Sequence, residues 1–210
     1  MIDQIVWLGH GAFILHGTPD SAGNRPTVYV NPWRIASADQ PADVILISSD
    51  RFDRCSLADI RKLRGENTQV IASERAAALL GDCTILRPWQ SLSLERMCIK
   101  AIPAYHERRG VDGGLGFLIS MQFYDVYYAG DTGLIPEMSR ISPDISLLPI
   151  SGGDTLTTEE AAEAALKLGS RWVIPYNWGA GINNASRSDA LTLARELDGK
   201  IETVLLPPNR

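Results

Sequence analysis

The chain has 210 residues, 45% hydrophobic and 21% charged, with a net charge of −5. Such a composition excludes a disordered or fibrous protein and supplies one domain, residues 1–210, with a sizeable core. The acidic balance argues against a general nucleic-acid or anionic-membrane surface, and no apolar run is long enough to span a bilayer.

Short strands are predicted over 4–8, 12–15, 27–30 and 43–47, joined by turns, as in a mainly antiparallel sheet. Gly9 and Gly11 flank His10 in a tight turn, where the imidazole is expected to bond the backbone. After residue 47 comes a polar loop, then a helix over 57–63 capped by Ser56 with Asp59. A strand over 69–72 and an alanine-rich helix over 73–80 follow. Strands over 84–86, 91–94 and 98–102 lead to a polar loop over 104–114 that carries His106, Arg109 and Asp112. Apolar strands over 115–120, 126–129 and 145–150 come next. The clearest helix is 158–168, where Thr157 and Glu160 form a capping box and Gly169 takes the C′ place. A strand over 172–176, a helix begun by Ser186 with Asp189 and ending at 197, and a strand over 201–206 complete the chain. Strands first, then strands alternating with helices, occur twice, which predicts two sheets between helical layers.

The three cysteines, Cys55, Cys83 and Cys98, are widely spaced and include no C-x-x-C. They fit a reduced, cytoplasmic setting, and the start Met1-Ile2-Asp3-Gln4 lacks the basic residues of a signal peptide. Cys55 is expected to be a small buried apolar residue, and Trp33 and Trp178 to be packing residues.

A polar loop leaving a buried strand is where layered α/β proteins carry chemistry. Here that loop reads Ser48-Ser49-Asp50-Arg51-Phe52-Asp53-Arg54-Cys55. A second loop, Gly130-Asp131-Thr132, leaves the strand over 126–129. For Arg51 and Arg54, ion pairing with Asp53 and Asp131 is the simpler expectation and capture of an anion the sharper one. Neighbours in a loop rarely face the same way, so at least one arginine is expected to cross to Asp131.

Several stretches occur in a telling order: Trp7-Leu8-Gly9-His10-Gly11-Ala12-Phe13, Asn31-Pro32-Trp33, the central loop, Ala129-Gly130-Asp131-Thr132 with Pro136-Glu137-Met138, and Ile174-Pro175-Tyr176-Asn177. This order resembles the metallo-β-lactamase superfamily, in the branch that contains ascorbate-6-phosphate lactonase. The resemblance implies an α/β (α+β) fold, a four-layer αββα sandwich. It also implies a hydrolase site in which histidines, a signature aspartate and a bridging aspartate hold two metals that activate water. Against the family signature H-x-H-x-D-H, the central loop keeps Asp53 alone. Ser49, Arg51 and Arg54 stand at its histidines. Asp131 matches the bridging aspartate, and Asn177 stands at the last histidine. The remaining histidine falls on Arg109, or on His106 if the loop is shifted. Serine and asparagine are poor zinc ligands, and a guanidinium has no lone pair to give.

Arg51 and Arg54 carry the charge that would offset Asp53 and Asp131, so they can replace the metals electrostatically without generating hydroxide. The leading expectation is therefore a pseudoenzyme or binder of a small anion, with no cofactor. Its pocket residues are Ser49, Asp50, Arg51, Arg54, Arg109, Asn177 and His10, and the groups able to move protons are Asp53, Asp131 and His106. A metal-dependent lactonase or phosphoesterase stays open beside it, with one metal on Asp53, Asp131 and His106 or Asp50. So does a structural subunit of a homo- or hetero-oligomer. No nucleic acid and no membrane is expected as partner.

Overall fold

The computed structural model describes residues 1–36, 40–106, 111–179 and 185–209, with backbone alone at 111–113. It divides into two units, Met1–Arg87 with Pro207–Arg210, and Pro88–Leu206.

The first unit holds one sheet in the order β1 (Ile5–Gly9), β2 (Ala12–His16), β3 (Thr27–Val30), β4 (Val44–Ile47), β5 (Gln69–Ala72), β6 (Thr84–Ile85). The expected mainly antiparallel pairing holds only for β1 to β3. From β3 onward every pair is parallel. The reason is the connections: residues 31–43 and 48–68 are long enough to cross over, whereas two-residue turns are not. The β4 run Val-Ile-Leu-Ile is buried throughout, as a central parallel strand must be. One face of the sheet, with Tyr29, Ile45, Ile47, Val70 and Ala72, packs on helix α1 (Leu57–Leu63) and helix α2 (Glu74–Leu80) through Ile60, Leu63 and Ala76. Ser56 caps α1 and Ser73 caps α2 through their hydroxyl oxygens. The chain end returns to this unit, where the Asn209 N–H donates to the Trp7 carbonyl at 2.7 Å.

The second unit repeats the scheme. Its sheet runs β13 (Glu202–Thr203), β12 (Trp172–Tyr176), β11 (Ile145–Pro149), β10 (Tyr124–Tyr128), β9 (Val111–Met121), β8 (Met97–His106), β7 (Ser91–Leu94). The strands β7 to β10 are antiparallel, and β10 to β13 are parallel. Helix α3 (Thr158–Leu168) lies between β11 and β12 in sequence, and helix α4 (Arg187–Glu196) between β12 and β13. Both begin with complete capping boxes, Thr157 with Glu160 and Ser186 with Asp189. The loop expected over 104–114 is instead largely strand: β8 runs to His106 and β9 starts at Val111.

In both units the polar loops leave the carboxyl ends of parallel strands, where open α/β sheets place their ligands. Asn31 follows β3, the central loop follows β4, Asp131 follows β10 and Asn177 follows β12. Three of these positions carry left-handed backbone or adjoin it: φ is 45° at Asn31, 60° at Asn177 and 76° at Gly130. Asparagine tolerates that region better than most side chains, which suits it to both positions.

Candidate functional site

In the first unit everything converges on Asp53. Hydrogen bonds from the Arg54 N–H and the Cys55 N–H to the Arg51 carbonyl, at 2.9 and 2.8 Å, curl the loop into a tight turn. That turn brings neighbours to the same side. His10 Nε2 lies 2.7 Å from Asp53 Oδ2, Arg54 Nη1 lies 3.2 Å from the same oxygen, and Arg51 Nε lies 3.6 Å from Oδ1. Arg54 Nη1 also donates to the Asp53 carbonyl at 3.3 Å. The expectation that neighbouring residues face apart fails here because the turn closes within four residues. The His10 ring, expected to bond the backbone, also reaches a carboxylate 43 residues away.

Burial shapes the electrostatics of the cluster. The side chains of Asp53 and Arg54 are each 2% exposed, while Arg51 is 45% exposed. Burial pushes the Asp53 carboxyl up. The hydrogen bond to His10 and the charges of Arg54, His10 and Arg51 outweigh that and hold it well below the usual carboxylate range. The Arg54 guanidinium lies flat on the glycine turn. A Cβ at Gly11 would sit 2.9 Å from Arg54 Cζ, so a side chain there would displace the guanidinium. The turn itself is left-handed, with φ 97° at Gly9 and 52° at His10, and the Trp7 indole N–H ties it by donating to the His10 carbonyl at 2.9 Å.

Neighbouring strands brace this cluster. The Asn31 amide donates to Ser48 Oγ at 2.8 Å and accepts from the Ser48 N–H at 2.9 Å, which staples the ends of β3 and β4. Asp50 turns outward to Arg75, at 3.2 Å, and does not join Asp53. Among the described residues, neither Ser49 Oγ nor Asp53 Oδ1, both buried, has a hydrogen-bond partner. Cys55 is buried in the sheet–helix core, and burial pushes its thiol up to about 11, so it is a packing residue as expected.

The second unit carries its own polar residues. His106 ends β8 and is buried; its ring packs on the 130–133 loop, where a Cβ at Gly133 would meet His106 Cδ2 at 3.1 Å. The loop itself is anchored on both sides. Thr132 Oγ1 donates to the Tyr105 carbonyl at 3.0 Å, and the Tyr176 hydroxyl donates to the Gly130 carbonyl at 2.8 Å. Tyr176 also stacks on Tyr128 at 5.2 Å. Asp131 and Asn177 are both buried. His106 Nδ1 has no hydrogen-bond partner among the described residues. Trp178 is buried and its indole donates to the Pro175 carbonyl, as a packing residue does. Arg109 lies outside the described residues.

Two features were not read from the sequence. One is the carboxylate–imidazole bond between His10 and Asp53, which no local pattern announces. The other is Phe52, which is 72% exposed although it is a large aromatic. Its signal was available: an aromatic enclosed by Asp50, Arg51, Asp53 and Arg54 has no apolar periodicity to bury it.

Among the described residues, no group of three His, Cys, Asp or Glu side chains is placed to hold a metal ion. None of the described helices is long and apolar enough to cross a membrane.

Known proteins resemble this chain over most of its length. A family described as "Beta-lactamase superfamily domain" matches residues 4–177, which run across both units. The chain is 32% identical over 190 residues to a UPF0173 metal-dependent hydrolase of Methanocorpusculum labreanum, covering 83% of this chain and 82% of that protein. It is 25% identical over 233 aligned residues to a UPF0173 metal-dependent hydrolase of Methanoregula boonei, covering 98% and 95%. Among solved structures, a candidate metal-dependent hydrolase from Parabacteroides distasonis superposes with a TM-score of 0.82 at 25% identity, over 96% of this chain and 91% of that one. The metallo hydrolase Igni18 of Ignicoccus hospitalis superposes with a TM-score of 0.76 at 20% identity, over 98% and 95%.

Proposed function

Because the chain belongs to the beta-lactamase superfamily and has the metallo-β-lactamase fold, we propose that it binds a small anion, without zinc, at the loop after β4. The observation that carries this is Arg54. Its guanidinium is 2% exposed and lies 3.2 Å from Asp53 Oδ2, so a fixed cation already neutralises the family's aspartate. A zinc site needs three or four N, S or O donors around the ion. In the first unit the donors do not fit that need. Asp53 Oδ2 is engaged by His10 and Arg54, and the positions of the family's histidines carry Ser49, Arg51 and Arg54. A metal ion there would also meet the guanidinium charge at close range.

The local charge favours an anion. Arg51 and Arg54 both bring a guanidinium to the Asp53 loop. The half-exposed Arg51 fork suits a carboxylate or phosphate, and the buried Ser49 hydroxyl is a donor in need of an acceptor. Fast hydrolysis is not expected at this loop. Without metal activation the pKa of water rises from about 7 towards about 15.7. General-base help from Asp53 is worth about 10²–10⁴-fold, enough only for a reactive ester or lactone.

A second reading, a metal-dependent hydrolase of lactonase or phosphoesterase type, is favoured by the names of the relatives. A thermal-shift screen with phosphosugars and small carboxylates, run beside lactone and phosphodiester turnover, separates the two. Stabilisation by an anion, with turnover at background, is the expected result. Rapid turnover that disappears in Asp131→Asn and on chelation would establish the hydrolase instead.

A further inference from the structure

The helix-covered face of the first sheet is wider than its helices. Its six strands, at about 4.8 Å apart, span roughly 24 Å between the outer two. The helices α1 and α2, each about 10 Å across, cover roughly 20 Å of that. The shortfall falls on β1 and β2, whose Leu8 and Ile14 pack at the margin of the core and stay half-buried. A cleft of about 280 Å³ opens there. Leu8, Ile14, Tyr29 and Ile35 give it an apolar floor, and the exposed Arg34 and Asn209 line it too.

The wall that carries Arg34 is held in place by its own contacts. The N–H groups of Arg34 and Ile35 donate to the Asp59 carboxylate at 2.8 and 3.1 Å, and Lys62 Nζ donates to the Ile35 carbonyl at 2.6 Å. The Arg34 backbone is left-handed, with φ 58°, a conformation that persists where surrounding contacts over-determine it. The Arg34 guanidinium lies over the Trp33 ring at 4.2 Å and, among the described residues, meets no carboxylate. Among those residues it is also the single charged side chain lining the cleft. An apolar floor beside one unanswered cation complements an apolar body that ends in one negative charge.

We propose that this cleft binds a small aliphatic carboxylate, its chain on Leu8, Ile14 and Ile35 and its carboxylate on the Arg34 fork. The volume holds roughly nine non-hydrogen atoms at about 30 Å³ each, the size of a hexanoate. A singly charged carboxylate matches one guanidinium, whereas a phosphate dianion would leave a charge unanswered. The site uses none of Ser49, Arg51 and Arg54, so it stands or falls independently of the anion reading at the β4 loop.

The test is calorimetric titration of the full chain with acetate, butyrate, hexanoate and decanoate, and with hexan-1-ol. Affinity should rise roughly fourfold for each methylene buried, up to about hexanoate, and level off once the cleft is full. Hexan-1-ol, which has the body without the charge, should bind about tenfold more weakly than hexanoate. Arg34→Gln should remove that difference and leave hexan-1-ol unchanged; Arg34 is exposed, so the variant is expected to fold. Ile14→Phe, which fills the cleft, should weaken hexanoate and hexan-1-ol alike. An affinity independent of chain length would mean ion pairing alone, and one still rising through decanoate would mean adsorption to the surface; either overturns the proposal. So would no binding in the millimolar range, a hexanoate advantage that survives Arg34→Gln, or hexanoate binding that a folded Ile14→Phe variant leaves unchanged.

Discussion

The two units hold their polar residues by different means. In the first, charges answer charges: Asp53 is surrounded by His10, Arg54 and Arg51, with Asp53 and Arg54 nearly closed to solvent. In the second, the hydrogen bonds described for the polar loop run to the backbone. The 130–133 loop is fixed by Thr132 on the Tyr105 carbonyl and by Tyr176 on the Gly130 carbonyl, under a stacked Tyr128–Tyr176 pair. A buried ion cluster is brittle, because removing one member strands another. A loop anchored by neutral hydrogen bonds loses only one bond's worth when an anchor goes. The first unit should therefore be the sensitive one, and four changes sharpen or break that contrast.

The largest effect is expected from Arg54→Ala. It leaves Asp53 buried with one strong partner fewer, at a cost of about 3–5 kcal/mol in denaturant unfolding. The double variant Arg54→Met with Asp53→Asn should cost less than Arg54→Ala alone, because no charge is then stranded. A double variant as unstable as the single one would mean that shape rather than charge sets the cost.

Gly11→Ala comes next. Its Cβ would fall 2.9 Å from Arg54 Cζ, so the guanidinium must shift off Asp53. A loss of about 1–3 kcal/mol is expected, as for overpacking in a tight core. Adding Arg54→Ala should abolish the Gly11→Ala penalty, which a thermal melt of the double variant checks.

Asp59 tests the same principle at a structural position. Burial pushes its carboxyl up, but hydrogen bonds from Ser56, Lys62 and the Arg34 N–H, with the charge of Lys62, hold it below the usual range. A depressed folded pKa stabilises the protein above the unfolded value of about 3.9 and is lost as pH falls through the folded value. Asp59→Asn should therefore cost about 1–3 kcal/mol at neutral pH. The gap to the unaltered chain should narrow progressively below about pH 4. A gap independent of pH would show that the charge of Asp59 is immaterial.

Tyr176→Phe is expected to be the mildest. It removes the 2.8 Å hydrogen bond to the Gly130 carbonyl and keeps the ring stacked on Tyr128, at about 1 kcal/mol. A loss as large as that of Arg54→Ala would erase the contrast between the units.

Much of the fold was legible because its signals are local. The bounds of α1 and α3 follow from Ser56, from the Thr157 capping box and from Gly169, and β5, β7 and β12 are bounded by turn residues. The β8–β9 pair was harder. Its polar and glycine-rich stretch near His106, Asp112 and Gly114 lacks strand periodicity, and the strands persist there because each pairs with the other through a bulge at Ala104/Tyr105. The direction of the first sheet was half legible. A tight turn implies antiparallel pairing for β1 and β2, while the parallel pairing of β3 to β6 depends on crossovers that periodicity does not encode. Of the site, the loops and their residue types stood in the sequence. The closure of His10 on Asp53 did not, because that bond joins residues far apart in the chain and is a product of tertiary packing.

The central claim is that Arg54, and no metal ion, neutralises Asp53. Elemental analysis of the full chain, purified without chelator and dialysed, tests it most directly. The account predicts zinc and other divalent metals far below one ion per chain, with a melting curve unmoved by EDTA. One or two metal ions retained per chain, with a melting point that falls on chelation, would contradict it.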